Sequence, residues 1–313
     1  DGVVSDLTHR ARRLSARLFF LQPAKTQVFL AGGTPETGSS IRVPPQRLTV
    51  EGVTVRYGQV VAVDSLDLHV DPGEVVALIG PNGAGKTSLM DAVTGLAPCS
   101  GKVTLGSTDL SSLSLQRRTG AGIVRTFQAL ELFEDMTVFE NLQVAAEEFA
   151  GRSLLVDLVK PGVSALPAEA LEAVRQFNLA DYLDRTPREL TLGRRRLVAV
   201  ARAVAMKPSV LLLDEPAAGL DSDESAEFAK LMRRLATDWG MGVLVVEHDM
   251  DFVMDHSDRV VVMDFGAKIA QGTPTEVRNN PVAIAAYLGE PVHEAETQIE
   301  TQIQAPVGEG VER

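Results

Sequence analysis

The sequence is poor in cysteine, in basic charge and in long apolar runs, and each shortage excludes a class of protein. Its single cysteine, Cys99, rules out an internal disulfide and fits a reducing compartment. Its formal net charge of −12 argues against nucleic acid as a partner, because phosphate backbones are bound by cationic surfaces. Its apolar runs stay short of the roughly 18 residues that a membrane-spanning helix requires, so we expect no span of the bilayer.

Both ends of the chain differ from its centre. Residues 1–46 are predicted to form an extension or linker, since a basic, partly apolar segment at 9–20 precedes a run rich in Gly, Thr and Ser. The basic segment is typical of a helix on an anionic membrane surface or of a solvated tail. A third interpretation is the end of a preceding membrane domain, because the chain begins with Asp1 rather than Met. Residues 291–313 are acidic, contain few large apolar side chains and are predicted to be disordered.

A glycine-rich loop is the most informative feature of the sequence. Gly80 to Thr87 fits G-x-x-x-x-G-K-[ST] and follows an apolar run, residues 75–79, that is typical of a buried strand. Glycines let backbone N–H groups converge on phosphate oxygens, and the helix predicted to follow adds the positive end of its dipole. We expect Lys86 to reach the β- and γ-phosphates of ATP or GTP and the Thr87 hydroxyl to bind Mg²⁺. The predicted nucleotide-binding residues in this loop are Gly80, Pro81, Asn82, Gly83, Ala84, Gly85, Lys86, Thr87 and Ser88.

Two further segments supply acidic and imidazole side chains. Asp214 and Glu215 follow an aliphatic run and therefore lie where α/β folds bind ligands, at the carboxyl end of a strand. We expect Asp214 to hold Mg²⁺ directly or through water, as a partner of Thr87. Glu215 is placed to act as the general base toward an attacking water. His248 follows another aliphatic run and is predicted to hydrogen-bond the γ-phosphate and position the water.

The hydrophobic pattern predicts an α/β fold, and the glycine-rich loop adds the P-loop motif typical of NTPases. Residues 47–55 and 65–70 alternate in polarity, as half-buried antiparallel strands do. A helical block at about 129–206 is predicted to interrupt the α/β core, because apolar residues recur there at helix spacing. Continuous aliphatic runs predict strands that are covered on both faces at 75–79, 210–213, 243–246 and 260–263.

Taken together, residues 47–290 resemble the ATP-binding cassettes of ABC transporters. The loop at 80–87 matches the Walker A motif and residues 210–215 match the Walker B strand. The resemblance implies three further sites. Gln128 matches the Q-loop glutamine that touches Mg²⁺ or the attacking water, Asp221 belongs to the D-loop, and Tyr57 falls where the family stacks an aromatic ring on adenine. The implied fold is a cassette with an inserted helical subdomain and an antiparallel β subdomain.

The family's signature motif is altered in this chain. The usual Leu-Ser-Gly-Gly-Gln is replaced by Leu-Thr-Leu-Gly-Arg at residues 190–194. In the family this loop binds the γ-phosphate of ATP held by the opposite subunit. Thr191 keeps a hydroxyl and Gly193 keeps a close backbone approach, so both are expected to contact nucleotide. Leu192 and Arg194 depart from the pattern, since Leu192 replaces a glycine and Arg194 replaces a glutamine.

A finer resemblance points to the ATP-binding subunits of branched-chain amino-acid importers. It is implied by residues 123–142 around Gln128, by residues 214–221, and by the Gly-Thr-Pro and Asn-Asn-Pro strings at 272–281 with 287–290. The implied partners are transmembrane permease subunits or domains and a second cassette, closing head-to-tail over two Mg-ATP at the cytoplasmic face of the membrane. The alternatives are an importer ATPase for urea or short amides, a soluble ABC ATPase without a permease, and a regulatory module that binds ATP but scarcely hydrolyses it.

Overall fold

An antiparallel sheet forms the first layer of the fold. The computed structural model describes residues 42–127, 130–149 and 166–288. Its first strands are β1 (Leu48–Tyr57) and β2 (Val60–Val70), and β4 (Cys99–Leu105) and β5 (Thr108–Asp109) complete a four-stranded sheet in the order β2-β1-β4-β5. The predicted antiparallel pairing is confirmed, with Leu48 opposite Val70. Strand β2 includes the predicted strand at 65–70 but already begins at Val60. Ser65 lies within β2 and has a positive φ of 46°, which breaks the alternation there.

A second, mostly parallel sheet carries the elements that end near the glycine-rich loop. It has six strands in the order β10-β9-β3-β8-β7-β6, and only the pairing of β9 with β10 is antiparallel. The four strands that the aliphatic runs predict are confirmed. The bounds of the strands are β3 Val75–Ile79, β6 Ile123–Thr126, β7 Val210–Asp214, β8 Gly242–Val246, β9 Arg259–Asp264 and β10 Ala267–Gly272.

Helices cover this sheet and also occur among the described residues between β6 and β7. In that segment the described residues form helices and short 3₁₀ turns, at Ala180–Tyr182 and Pro187–Glu189. The helix bounds are α1 Lys86–Thr94, α2 Leu115–Ala121, α3 Val138–Phe149, α4 Ala168–Gln176, α5 Leu192–Val204, α6 Ser222–Thr237, α7 Met250–His256, α8 Pro274–Arg278 and α9 Pro281–Leu288.

Alternate residues of the parallel strands face two different cores. In β3, Val75, Ala77 and Ile79 pack among α3 to α7, whereas Val76 and Leu78 pack toward the antiparallel sheet and α1. Both faces of the strand are therefore buried, which explains why its sequence is continuously aliphatic. The glycine-rich loop emerges at the end of this strand, where the polar groups of neighbouring strands meet.

Some predictions fall on parts of the chain that the structure does not describe. Gln128, the extension up to residue 41 and the tail at 291–313 lie outside the described residues. Within the described residues, no helix combines the length and the apolar character that crossing a bilayer demands.

Candidate functional site

The glycine-rich loop runs from the end of β3 to the start of α1 and is closely packed at two glycines. A Cβ on Gly80, whose φ is +148°, would lie 2.1 Å from the carbonyl oxygen of Met263. A Cβ on Gly85, whose φ is +100°, would lie 2.2 Å from the carbonyl oxygen of Ala62. Gly83 also has a positive φ, but open space surrounds it. The loop is thus pressed against the chain on one side and open on the other, as an anion cradle requires.

Lys86 curls back over this loop. Its Nζ donates hydrogen bonds to the carbonyl oxygens of Gly80 at 2.7 Å and Pro81 at 2.9 Å. Burial lowers the pKa of Lys86, and the carboxylates of Glu215 and Asp214 oppose that shift. The first turn of α1, all of it within the described residues, carries no acidic side chain, so its N-terminal dipole is open to an anion from outside.

The ends of β7 and β8 bring the predicted acids and histidine together. The N–H of Glu215, which has a positive φ of 46°, donates to the carbonyl oxygen of Val246 at 2.9 Å. The Nδ1 atom of His248 lies 4.0 Å from Oε1 of Glu215. His248 is largely exposed, whereas Asp214 is buried at the end of its strand. The geometry therefore places a carboxylate and an imidazole side by side at the same sheet edge as the loop.

Arg125 is a charged residue at this edge that sequence reasoning missed. Its Nη2 atom lies 2.6 Å from Oδ2 of Asp214, and its Nη1 atom lies 2.5 Å from Oδ1 of Asp91. Only 3% of its side chain is exposed. No strand is predicted at 123–126 from the sequence, so no local signal indicated that Arg125 would lie beside Asp214.

Two more missed residues shape the turn after Asp214. Arg196, from α5, donates through Nη1 to the carbonyl oxygens of Glu215 at 2.7 Å and Pro216 at 2.8 Å, and through Nη2 to that of Ala218. Glu247 accepts a hydrogen bond of 2.7 Å from the N–H of Ala217. Burial raises the pKa of Glu247, and the backbone hydrogen bonds that it accepts oppose the shift. Buried charges on both sides thus hold the turn that presents Glu215.

The altered signature motif opens α5. Thr191 is the N-cap, and its hydroxyl accepts a hydrogen bond of 3.3 Å from the N–H of Arg194. A Cβ on Gly193 would lie 2.4 Å from Oε1 of Glu224, so this glycine allows a close approach of α5 and α6. The guanidinium of Arg194 lies 5.2 Å above the ring of Tyr182.

Tyr57 and Asp221 complete the predicted site residues that the structure describes. Tyr57 ends β1 with 48% of its surface exposed, as a ring available for stacking would be. Asp221 is the N-cap of α6 and accepts a hydrogen bond of 2.8 Å from the N–H of Glu224. Among the described residues, no hydrogen bond or ion pair joins Thr191 or Gly193 to the loop at 80–88.

The oxygen atoms at this edge suit a hard cation. Thr87 is exposed on the first turn of α1, and Asp214 has a second carboxylate oxygen, Oδ1, that no hydrogen bond engages within the described part of the chain. Hydroxyl and carboxylate oxygens are the ligands that Mg²⁺ prefers. The residues present therefore fit a magnesium ion that accompanies a nucleotide.

Comparisons with known proteins agree with this geometry. The family described as ABC transporter matches residues 63–218, and the family described as branched-chain amino acid ATP-binding cassette transporter matches residues 267–293. The high-affinity branched-chain amino acid transport ATP-binding protein BraF of Pseudomonas aeruginosa is 39% identical over 249 residues, which cover 78% of this chain and 98% of BraF. The protein of the same description from Escherichia coli, LivG, is 40% identical with the same coverage.

Solved structures show the same likeness. A nucleotide-free ATP-binding cassette from an ABC transporter has a TM-score of 0.68 at 29% identity, covering 78% of this chain and 100% of that one. An ATP-binding cassette of an ABC transporter in its ADP conformation has a TM-score of 0.69 at 30% identity, covering 78% of this chain and 99% of that one.

Proposed function

We propose a function from one premise: the chain belongs to the ABC transporter family of ATP-hydrolysing cassettes. The predicted fold class is confirmed, since the solved structures that it resembles are cassettes of ABC transporters. The function that we propose is the ATP-hydrolysing motor of an importer for branched-chain amino acids. The observation that carries it is the match of residues 267–293 to the branched-chain amino acid group, alongside relatives of that description aligned over 98% of their length.

ATP is the proposed nucleotide, and Mg²⁺ is its proposed companion. Phosphate oxygens would lie in the open side of the loop at 80–85, against the N-terminus of α1 and the ammonium of Lys86. Thr87 and Asp214 would hold the cation, with Gln128 as a third candidate ligand outside the described residues. When bound, Mg²⁺ supplies charge neutralisation at the β- and γ-phosphates. Tyr57 would stack on the adenine ring.

The hydrolytic step requires positioning more than covalent chemistry. We assign Glu215 as the general base that accepts a proton from the attacking water, because its carboxylate lies at the sheet edge beside the loop. His248, about 4 Å from Glu215, would hydrogen-bond the γ-phosphate and orient the water. Lys86 would exchange its two carbonyl partners for phosphate oxygens and offset the developing charge.

The proposed motor acts as a pair of cassettes on a permease. Thr191 and Gly193 at the start of α5, together with Asp221, would contact the ATP bound by the second cassette. The first turn of α5, which lies wholly within the described residues, carries no acidic side chain, so the positive end of its helix dipole suits a phosphate. The permease partner would place the cassette at the cytoplasmic face of the membrane. The acidic net charge of −12 agrees with the expectation that nucleic acid is not a partner.

The alternatives have less support. An importer of urea or short amides would use the same nucleotide chemistry, but the matching C-terminal family and the two relatives described above are all branched-chain amino acid proteins. A soluble ABC ATPase without a permease fits those relatives less well, because both are described as transport proteins. A purely regulatory module is disfavoured by the intact pair of Glu215 and His248.

The test is uptake in cells that carry the complete transporter with this chain either as wild type or as Glu215→Gln, at matched expression. We expect Glu215→Gln to abolish leucine uptake and to leave urea uptake unchanged. Selective loss of urea uptake would move the assignment to the amide importers. If neither uptake changed, the transport assignment would be wrong.

A further inference from the structure

We propose that Arg125 is a positioning residue that sets how Asp214 presents its carboxylate to Mg²⁺. The inference rests on the proposed Mg-ATP site. It concerns a residue to which the sequence analysis assigned no role.

The strand order brings Arg125 to Asp214. Strand β6 runs parallel to β7, with Arg125 opposite Leu212, two residues before Asp214. The Nη2 atom of Arg125 approaches Oδ2 of Asp214 to 2.6 Å, which is the length of a charge-assisted hydrogen bond. That contact engages one carboxylate oxygen and leaves Oδ1 as the oxygen available to a metal. A second contact fixes the guanidinium itself, because the ring of Phe127 lies 4.8 Å from its central carbon.

Asp91 balances the charge of Arg125. It lies on α1, the helix that starts with Lys86, and its Oδ1 is 2.5 Å from Nη1 of Arg125. The side chains of Arg125, Asp214 and Asp91 are 3%, 11% and 27% exposed, so water screens the first two only weakly. The three formal charges sum to −1, which is the charge of Asp214 alone. An unbalanced guanidinium this close to Asp214 would repel a divalent cation, and Asp91 offsets that repulsion.

The placement of the three residues indicates a role beyond general stability. Asp91 follows the glycine-rich loop on α1, Asp214 ends β7, and Arg125 lies three residues before Gln128. Thr87, a predicted ligand of Mg²⁺, lies on the same helix as Asp91, and Asp214 is itself the second predicted ligand. Partners that orient a metal ligand commonly change metal affinity about 10- to 100-fold when removed. Because Arg125 contacts Asp214, a predicted ligand of Mg²⁺, we expect its removal to weaken binding of the cation and not binding of the phosphates.

The experiment measures the Mg²⁺ enhancement of ATP binding, which is the dissociation constant of ATP in EDTA divided by that in Mg²⁺. The complete transporter is used with Glu215→Gln in this chain, so that ATP is not consumed during calorimetry. The test variant is Arg125→Met combined with Asp91→Asn, which removes the bridge while keeping the net charge of the group at −1. The matched control is Asp91→Asn alone, which keeps the contact between Arg125 and Asp214.

We expect the double variant to lose about tenfold in Mg²⁺ enhancement while its affinity for ATP in EDTA changes by less than about twofold. The control leaves the guanidinium of Arg125 unbalanced and should lose enhancement through charge alone. The double variant keeps the net charge of the group, so its loss reports the positioning of Asp214. Electron paramagnetic resonance of Mn²⁺ should report the same loss of cation affinity independently of nucleotide turnover. If the double variant does not fold, Arg125→Lys replaces it, and we expect a smaller loss because one ammonium cannot bridge both carboxylates.

Two results would overturn the inference, and they are distinguishable. An unchanged enhancement in the folded variant would show that Arg125 does not position Asp214, and the proposed Mg-ATP site would stand. An absence of any enhancement in the parent protein, with Arg125 and Asp91 intact, would overturn the proposed magnesium site and this inference with it.

Discussion

The glycine-rich loop and the start of α5 are both proposed to meet phosphate, yet the chain builds them differently. The loop depends on backbone geometry, with glycines at 80 and 85 where no Cβ fits, and its one cation, Lys86, is held by carbonyl oxygens of the loop itself. The start of α5 depends on side-chain charge, with three consecutive arginines at the positive end of a helix dipole.

The three arginines of α5 are not equivalent. Arg196 is buried and donates to three carbonyl oxygens of the turn after Asp214. Arg195 forms an ion pair with Glu134. Arg194 stacks on Tyr182 and, among the described residues, has no carboxylate partner. The loop is thus complete within its own chain, whereas Arg194 offers charge that an anion from elsewhere could neutralise.

The largest expected effect is a loss of ATP hydrolysis at the sheet edge beside the glycine-rich loop. Glu215→Gln should lower the ATPase rate of the complete transporter about 100-fold or more, because a general base is lost, while ATP binding persists. Lys86→Ala is the matched contrast, since it should weaken ATP binding itself. Filter-binding and phosphate-release assays separate the two, and equal loss of binding in both variants would contradict the distinct roles assigned here.

The next effect concerns the arginine that supports the turn. Arg196→Met should lower the free energy of unfolding by about 3 kcal/mol, because three buried or partly buried carbonyl oxygens lose a charged donor. Arg195→Met, one residue earlier, should cost at most about 1 kcal/mol, since its ion pair with Glu134 is partly exposed. Chemical denaturation of both variants measures the difference. Equal losses would mean that the carbonyl contacts of Arg196 contribute little.

Backbone geometry at the loop is tested by Gly85→Ala. Both the positive φ and the contact with Ala62 oppose a side chain, so we expect a loss of ATP affinity of about tenfold and a loss of stability above about 1 kcal/mol. Gly58→Ala is the control, because Gly58 has a φ of +62° but nothing within 4 Å of a Cβ. It should show the backbone cost alone and normal ATP affinity. A similar affinity loss at Gly58 would refute the packing argument.

A smaller effect sharpens the contrast at α5. Arg194→Gln should leave the stability of the cassette within about 0.5 kcal/mol, because Arg194 makes no ion pair within the described residues. It should weaken ATP-dependent pairing of cassettes about three- to tenfold at low salt, and less at high salt because ions screen the charge. Analytical ultracentrifugation measures the pairing of cassettes at each of the two salt concentrations. Pairing that is insensitive to the substitution would leave Arg194 without a role in trans.

The smallest expected effect is a pH dependence of stability caused by Glu247, which supports the turn after Asp214. Because burial raises the pKa of Glu247, its proton contributes stability that is present below the ordinary pKa of glutamate, about 4.3, and is lost as pH rises through the raised pKa. Glu247→Gln should therefore lose less stability than wild type as the pH rises above about 4.3. Glu276→Gln is the opposite control, since hydrogen bonds from Thr273 lower the pKa of Glu276 and its stabilisation is present at neutral pH. Parallel curves of stability against pH for the wild type and the two variants would exclude the pKa shifts of Glu247 and Glu276.

Local motifs and tertiary contacts differ in how far the sequence predicts them. The loop at 80–87, the acids at the end of β7 and His248 were predictable, because spacing along one strand–turn–helix unit specifies each. Within the predicted helical block, α4 ends at Gln176, and Asn178 two residues on takes a left-handed φ of 51°. Arg125 and Glu247 could not be predicted, because their partners follow from which strands lie side by side and no local spacing encodes that order.

The most direct test of the proposed function couples two measurements on the reconstituted transporter in vesicles. Leucine uptake and ATP hydrolysis are recorded together for the wild type and for Glu215→Gln in this chain. We predict that the wild type hydrolyses ATP and accumulates leucine, and that both activities fall together in the variant. Leucine accumulation that continues after ATP hydrolysis is lost would contradict the assignment of this chain as the motor.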